Sequence, residues 1–291
     1  MALRATAQLR IRFQRNKMNE PVELLRHYLP TIYDVLSPST KMISDISSKY
    51  YERIKNIDAA IKTKGEFTSE KVIYDLWWDT NEGDQASLTF LTFIDNTAKS
   101  VLEKVDSTLR RQIITLCHKM IINFNDSQSQ YTNFFAELAV INKLLSDEGI
   151  KLLQVEKIMP NGKRFDFEIR KDGKETLVEV YNINFNYERI ESSENFKKFL
   201  ETRITDKLNS KLQELPGMFP SFLLVPVLWG NILGLDQFAD AFIFFKDFNF
   251  ISKFMMIAEY KNLEGRYLYD FGTVENFLKR AKEINKETMK I

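Results

Sequence analysis

Asp166 and Glu179 are two acidic residues that local geometry alone sets face to face. They lie in Arg164-Phe165-Asp166-Phe167-Glu168-Ile169-Arg170 and Thr176-Leu177-Val178-Glu179-Val180-Tyr181, two runs that alternate with a period of two around Asp172-Gly173. Such a dipeptide between alternating runs signals a hairpin, because Gly accepts the positive φ of a type I′ turn. A two-residue loop pairs Lys171 with Lys174, and counting back sets Asp166 directly opposite Glu179. One face of the hairpin is then Phe165, Phe167, Ile169, Val178 and Val180, which is core. The other carries Asp166, Glu168, Glu179 and Tyr181. Like charges directly across a strand pair are destabilising. Two carboxylates at roughly 5 Å need a cation or a shared proton between them. The chemistry on offer is divalent-ion binding or proton sharing.

A third acid precedes the hairpin. Glu137 lies in Phe134-Phe135-Ala136-Glu137-Leu138-Ala139-Val140-Ile141-Asn142-Lys143-Leu144-Leu145. At about 100° per residue, Asn142, Lys143 and Ser146 point roughly opposite to it, while Phe134, Ile141 and Leu144 flank it. That places Glu137 in the middle of the buried stripe, where a charge needs a partner or takes up a proton. Alone it reads as a neutral or ion-paired core Glu. Beside the facing pair, it reads as the third member of one acidic site.

The elements that must position these residues fall into two compositional halves. From about Glu20 to Asn125 the pattern is helical: Pro21–Leu36, Lys41–Ile61, Thr68–Trp77, Gln85–Val105 and Thr108–Phe124, with Pro38, Gly65 and Gly83 in the breaks. Trp77, Trp78, Phe90, Phe93 and Ile94 supply a helical core. From about Gln128 onward come a helix (Gln130–Leu145), a strand (Ile150–Ile158), the acidic hairpin, a long helix (Glu191–Leu215) and a strand (Phe222–Trp229). The continuous apolar run of that last strand indicates burial on both faces. A short helix (Leu235–Phe245), a second hairpin (Lys253–Tyr260 with Arg266–Tyr269) and a helix (Val274–Ile284) close the chain. This order reads as α+β or α/β rather than a repeat array. Residues 1–17 carry Arg4, Arg10, Arg12, Arg15 and Lys17 and no acid. They read as a frayed basic tail, a transit-type leader, a nucleic-acid-binding arm or a stretch upstream of a start at Met18.

Composition narrows the class. The chain has 291 residues, 44% hydrophobic and 28% charged, which suits an ordinary globular protein with one large domain or two smaller ones. With a net charge of +1, any basic surface for nucleic acid must be local. The one cysteine, Cys117, excludes an intramolecular disulfide and a four-Cys zinc site, and fits a reducing, cytoplasmic setting. No apolar run reaches the roughly 18 residues of a membrane span. His27 and His118 stand alone in sequence, so a histidine metal site is not expected.

The helical Glu, the three-stranded meander with an acid on its second and third strands, the long helix and the fourth strand together resemble the PD-(D/E)XK nuclease superfamily. The resemblance covers roughly Gln128 to Gly230. It implies a helical N-terminal region followed by a restriction-endonuclease-like core with a mixed central sheet, divided as residues 1–17, 18–125 and 126–291. It also implies that Asp166, Glu179 and Glu137 hold Mg²⁺ or Mn²⁺ for phosphodiester hydrolysis, with DNA the expected nucleic acid and a homodimer the common assembly.

The chain departs from the family where it matters. Tyr181 stands where the lysine of the motif belongs, and Asn161-Gly162-Lys163 replaces the Pro before the Asp. A tyrosine donates a hydrogen bond near pH 7 but supplies no cation. Two readings follow. In one, the lysine has migrated to the long helix, where Arg203, Lys207 and Lys211 recur every four residues beside Ile204, Leu208, Leu212 and Leu215. Lys207 leads because it sits mid-helix, and Tyr181 orients water or phosphate. In the other, the fold persists as a catalytically inactive nucleic-acid-binding or protein-interaction module. A structural ion or proton-sharing cluster in an unrelated protein is a third possibility. Glu168 reads as an exposed strand residue. Asn182, Asn184, Tyr187 and Arg189 extend towards the long helix, and no Gly-rich phosphate loop or Ser-His-Asp order is present.

Overall fold

The computed structural model describes residues 2–5, 20–124, 130–184, 192–212, 221–229, 254–261, 266–273 and Lys279. The fold is α+β, a helical N-terminal region followed by a mixed sheet. Two compact units, Met1–Asn142 and Lys143–Ile291, divide the chain within the last turn of a helix.

The first unit holds α1 (Pro21–Tyr28), α2 (Pro30–Leu36), α3 (Thr40–Lys64), α4 (Ile73–Asn81), α5 (Gln85–Lys104), α6 (Ser107–Ile122) and nearly all of α7 (Tyr131–Leu144). The expected helix Pro21–Leu36 is two helices. Proline pushes the preceding residue out of the helical region, and Leu29 takes φ −136° and ψ 59°. The amides freed at the start of α2 are met from α5: Asp95 accepts from the Thr31 and Ile32 N–H groups at 3.2 and 3.1 Å. Ser39, Asp84 and Asp106 cap α3, α5 and α6. The core is aromatic, with Tyr50, Tyr74, Trp77, Phe90 and Phe135 almost wholly buried.

Two expectations for this unit need correction. The Thr68–Trp77 segment is not one helix. Phe67–Glu70 forms strand β2, and the helix begins only at Ile73. The basic tail is not frayed at its start, because Ala2–Ala5 (β1) pairs antiparallel with β2 and supplies its backbone partners. Residues 6–17 lie outside the described residues.

The second unit is built on a six-stranded sheet in the order β3 (Ile150–Ile158), β4 (Arg164–Lys171), β5 (Lys174–Asn184), β6 (Ser221–Trp229), β7 (Phe254–Lys261) and β8 (Arg266–Thr273). β3–β4–β5 is an antiparallel meander, β6 runs parallel to β5 and to β7, and β8 returns antiparallel. The parallel β5–β6 step is made by a connection that contains α8 (Ser193–Leu212). The β7–β8 hairpin forms as its alternation implies, with Lys261 opposite Arg266. The expected helices Leu235–Phe245 and Val274–Ile284 lie outside the described residues, apart from Lys279. No described helix is long and apolar enough to cross a membrane.

Candidate carboxylate and lysine site

The β4–β5 turn is the one the dipeptide requires. Asp172 and Gly173 take φ 50° and 78°, and Lys171 pairs with Lys174. From there the strands pair in register to Phe167–Val178, one step short of the two acids. Phe165, Phe167, Ile169, Val178 and Val180 are all buried, as the alternation demands. At the next position the side chain of Asp166 takes over: its Oδ2 accepts the Val180 N–H at 2.7 Å. Glu179 is only 2% exposed, so a carboxylate stands in the interior and must be answered.

Two lysines from α8 answer it. Lys207 Nζ lies 2.9 Å from Glu179 Oε1, and Lys211 Nζ lies 3.0 Å from Oε2. Lys207 also donates to the Val180 carbonyl at 3.3 Å and sits 5.3 Å from the centre of the Tyr181 ring. Lys211 donates to the Arg164 carbonyl. The third residue of the basic stripe, Arg203, turns away and lies over Phe199.

Electrostatics follow from this packing. Burial raises the Asp166 carboxyl to about 7, the like charge of Glu179 adds to the rise, and Lys207, the Val180 N–H and Lys211 oppose it. Burial works against the charge of Lys207, but Glu179 and Asp166 outweigh it and hold its pKa above the ordinary amine value. Burial also raises the Tyr181 phenol, against the pull of Arg203 and Lys207, so the ring stays neutral.

Because the folded value of Asp166 exceeds the unfolded one, the native state keeps a proton that the unfolded chain has lost between about pH 4 and about pH 7. Stability therefore falls as pH rises through that window. Asp166→Asn keeps an acceptor for the Val180 amide and removes the titration. It is expected to match wild type near pH 5 and to exceed it near pH 8 by on the order of 2–3 kcal/mol, read from urea midpoints. Equal pH profiles for the two proteins would sink the assignment.

The other expected site residues fall as follows. Glu137 is a half-buried residue of α7 in the first unit. Among the described residues no group of three or more His, Cys, Asp or Glu side chains is placed to hold a metal ion. What the second unit itself assembles is two carboxylates with two ammonium groups. Glu168 is not exposed: it is half-buried and ion-paired with Lys157 at 2.9 Å. A bulge between Leu152 and Gln154 shifts β3 by one residue, and Gln154 rather than Lys157 stands opposite Glu168 in the ladder. His118 is not isolated either, since Asp45 of α3 stands 3.7 Å from its Nε2.

The donors suit a hard ion in part. Mg²⁺ is commonly held by one or two carboxylates and keeps several waters. Asp166 and Glu179 provide two, and the hydrogen bond that the described residues make to Asp166 falls on Oδ2 alone. Glu179 fits less simply, because each of its oxygens already holds an ammonium group. Comparison with protein-family models, with curated proteins and with solved structures gives no match for this chain.

Proposed function

We propose that the second unit is a Mg²⁺- or Mn²⁺-dependent hydrolase of nucleic-acid phosphodiester bonds, with DNA the first substrate to test. One observation carries the reading. In a chain with Tyr181 at the motif's lysine position, two lysines from the neighbouring helix reach Glu179 beside Asp166. Asp166 and Glu179 are the residues that would hold the ion. When bound, it supplies Lewis-acid stabilisation of charge on the phosphate and a more acidic water.

The chain's own groups divide the remaining work. Asp166, held above the usual carboxylate range in the ion-free site, would give up its proton when it takes the ion, so that ion binding strengthens as pH rises through neutrality. Lys207 keeps a full positive charge beside both acids and supplies the cation that Tyr181 lacks. Tyr181, neutral and half-buried, offers a phenolic O–H to a water or a phosphate oxygen. The resemblance to PD-(D/E)XK nucleases supports this assignment through the order meander, helix and parallel fourth strand.

A second reading has its own support. Two lysines already balance the two acids, so the cluster needs no ion to be neutral. That favours a silent nucleic-acid-binding or protein-interaction module. Supercoiled-plasmid nicking in EDTA, Mg²⁺ and Mn²⁺ separates the two. The hydrolase reading expects ion-dependent nicking by wild type and none by Asp166→Ala. Nicking that survives in Asp166→Ala refutes the site, and calorimetric Mn²⁺ binding without any nicking favours the silent module.

A further inference from the structure

The carboxylate cluster uses only the last two of four α8 residues spaced four apart. Phe199, Arg203, Lys207 and Lys211 follow one another, each step turning the side chain about 40° round the helix. Lys207 and Lys211 turn to Glu179, whereas the Arg203 guanidinium sits 5.4 Å from the centre of the Phe199 ring. Phe199 is 47% exposed. Single exposed apolar side chains are ordinary. This one is held, however: it stacks on the buried Phe196 ring at 6.4 Å and 17° between planes. A concavity of about 460 Å³ lies on the same face, lined by Asn195, Lys198, Phe199, Thr202, Arg203 and Asp206.

The charge on this face matches a phosphate chain. Lys198 and Arg203 outnumber Asp206, and the Arg203 charge is felt at the Tyr181 phenol, which ties the face to the carboxylate cluster. Along the helix, Phe199 and Lys207 are roughly 12 Å apart. An exposed, braced aromatic ring with basic neighbours is the pattern that stacks a nucleobase while cations track the backbone. A base inside a duplex has no free face to offer such a ring.

We propose that this face of α8 is a stacking platform for an unpaired base of single-stranded nucleic acid. A strand with unpaired bases is then the substrate of the adjoining site, a step that rests on the hydrolase reading above. The probe is a fluorescein-labelled oligo(dT) of about 20 nucleotides, long enough for a typical single-strand footprint, against a duplex of equal length. Anisotropy is read with the full chain in EDTA, so that no cleavage intrudes.

Oligo(dT) is expected to bind more tightly than the duplex. Phe199→Ala should weaken it about tenfold, as the loss of one stacked base does, and Phe199→Trp should retain it. Because Phe199 is exposed, its truncation leaves the core intact, and circular dichroism checks this. Arg203→Ala should lower the slope of log affinity against log salt by about 0.7. Binding that ignores Phe199→Ala, prefers the duplex or is absent at micromolar protein overturns the platform. These readouts are separate from cleavage. Phe199-dependent binding with no Mg²⁺- or Mn²⁺-dependent cleavage of the same oligo(dT) sinks the hydrolase reading and leaves the platform standing, and ion-dependent cleavage with Phe199-independent binding does the reverse.

Discussion

Glu179→Gln is expected to remove ion-dependent nicking, with a fall on the order of 10³-fold in single-turnover rate. Glutamine keeps the size and one acceptor oxygen but no charge, so it neither holds an ion nor anchors two ammonium groups. Lys207→Met should cost on the order of 10²–10³, the usual loss for one well-placed group that stabilises a developing charge. Lys211→Met should cost less. Lys207 acts more strongly than Lys211 on Asp166, and it alone of the two lies over Tyr181. Lys207→Arg is expected to restore part of the rate, since the charge returns on a differently shaped group. Glu179→Gln should also destabilise, because Lys207 and Lys211 lose their counter-charge. With these side chains 30% and 21% exposed, water offsets much of that, and roughly 1–3 kcal/mol is expected from urea titration. Wild-type nicking by Glu179→Gln would dismiss the cluster as the reacting centre, whatever its effect on stability.

How much of this was legible in the sequence follows the range of the interactions concerned. The acidic hairpin was readable because an Asp-Gly turn fixes register through bonds a few residues long, and register fixes which side chains share a face. Even so, the ladder ends one rung before the acids, since the Asp166 side chain takes the Val180 amide in place of a cross-strand carbonyl. The four-residue spacing of Lys207 and Lys211 was equally visible. That they reach Glu179 depended on a parallel β5–β6 step joined through α8, which only the order of elements suggested. Periodicity gave the direction in which Glu137 leaves its helix but nothing about what stands there. The alternation of β4 set Glu168 off the core face, but its ion pair with Lys157 of β3 lies across strands and outside any local pattern. In the first unit, Ser69 and Glu70 lie in a strand paired with β1, and both bond a side-chain partner sixteen or so residues earlier, beyond any local pattern.

That partner is Arg53 of α3, and its replacement carries the largest expected stability effect. Its side chain is 1% exposed. Nη2 donates to Asp75 Oδ2 at 2.7 Å, to Ser69 Oγ at 2.7 Å and to the Glu70 carbonyl at 3.2 Å, and the guanidinium lies 4.8 Å from the centre of the Phe67 ring. One side chain thus ties α3 to strand β2 and to the start of α4. Asp75 serves the same joint from the other side, accepting the Val72 N–H at 2.8 Å where α4 begins. Burial raises the Asp75 carboxyl, and only Arg53 and the Val72 amide hold it down. Arg53→Met should therefore cost on the order of 3–5 kcal/mol, because it strands a buried carboxylate rather than merely deleting a contact. Adding Asp75→Asn removes that charge while keeping an acceptor for Val72, so the double variant is expected to regain a good part of the loss. Urea titrations of the four proteins in a double-mutant cycle give the coupling directly. A single Arg53→Met variant that loses less than about 1 kcal/mol would show that the network is incidental to the helical unit. A double variant no more stable than Arg53→Met alone would instead place the cost in lost packing around Phe67, not in the stranded charge.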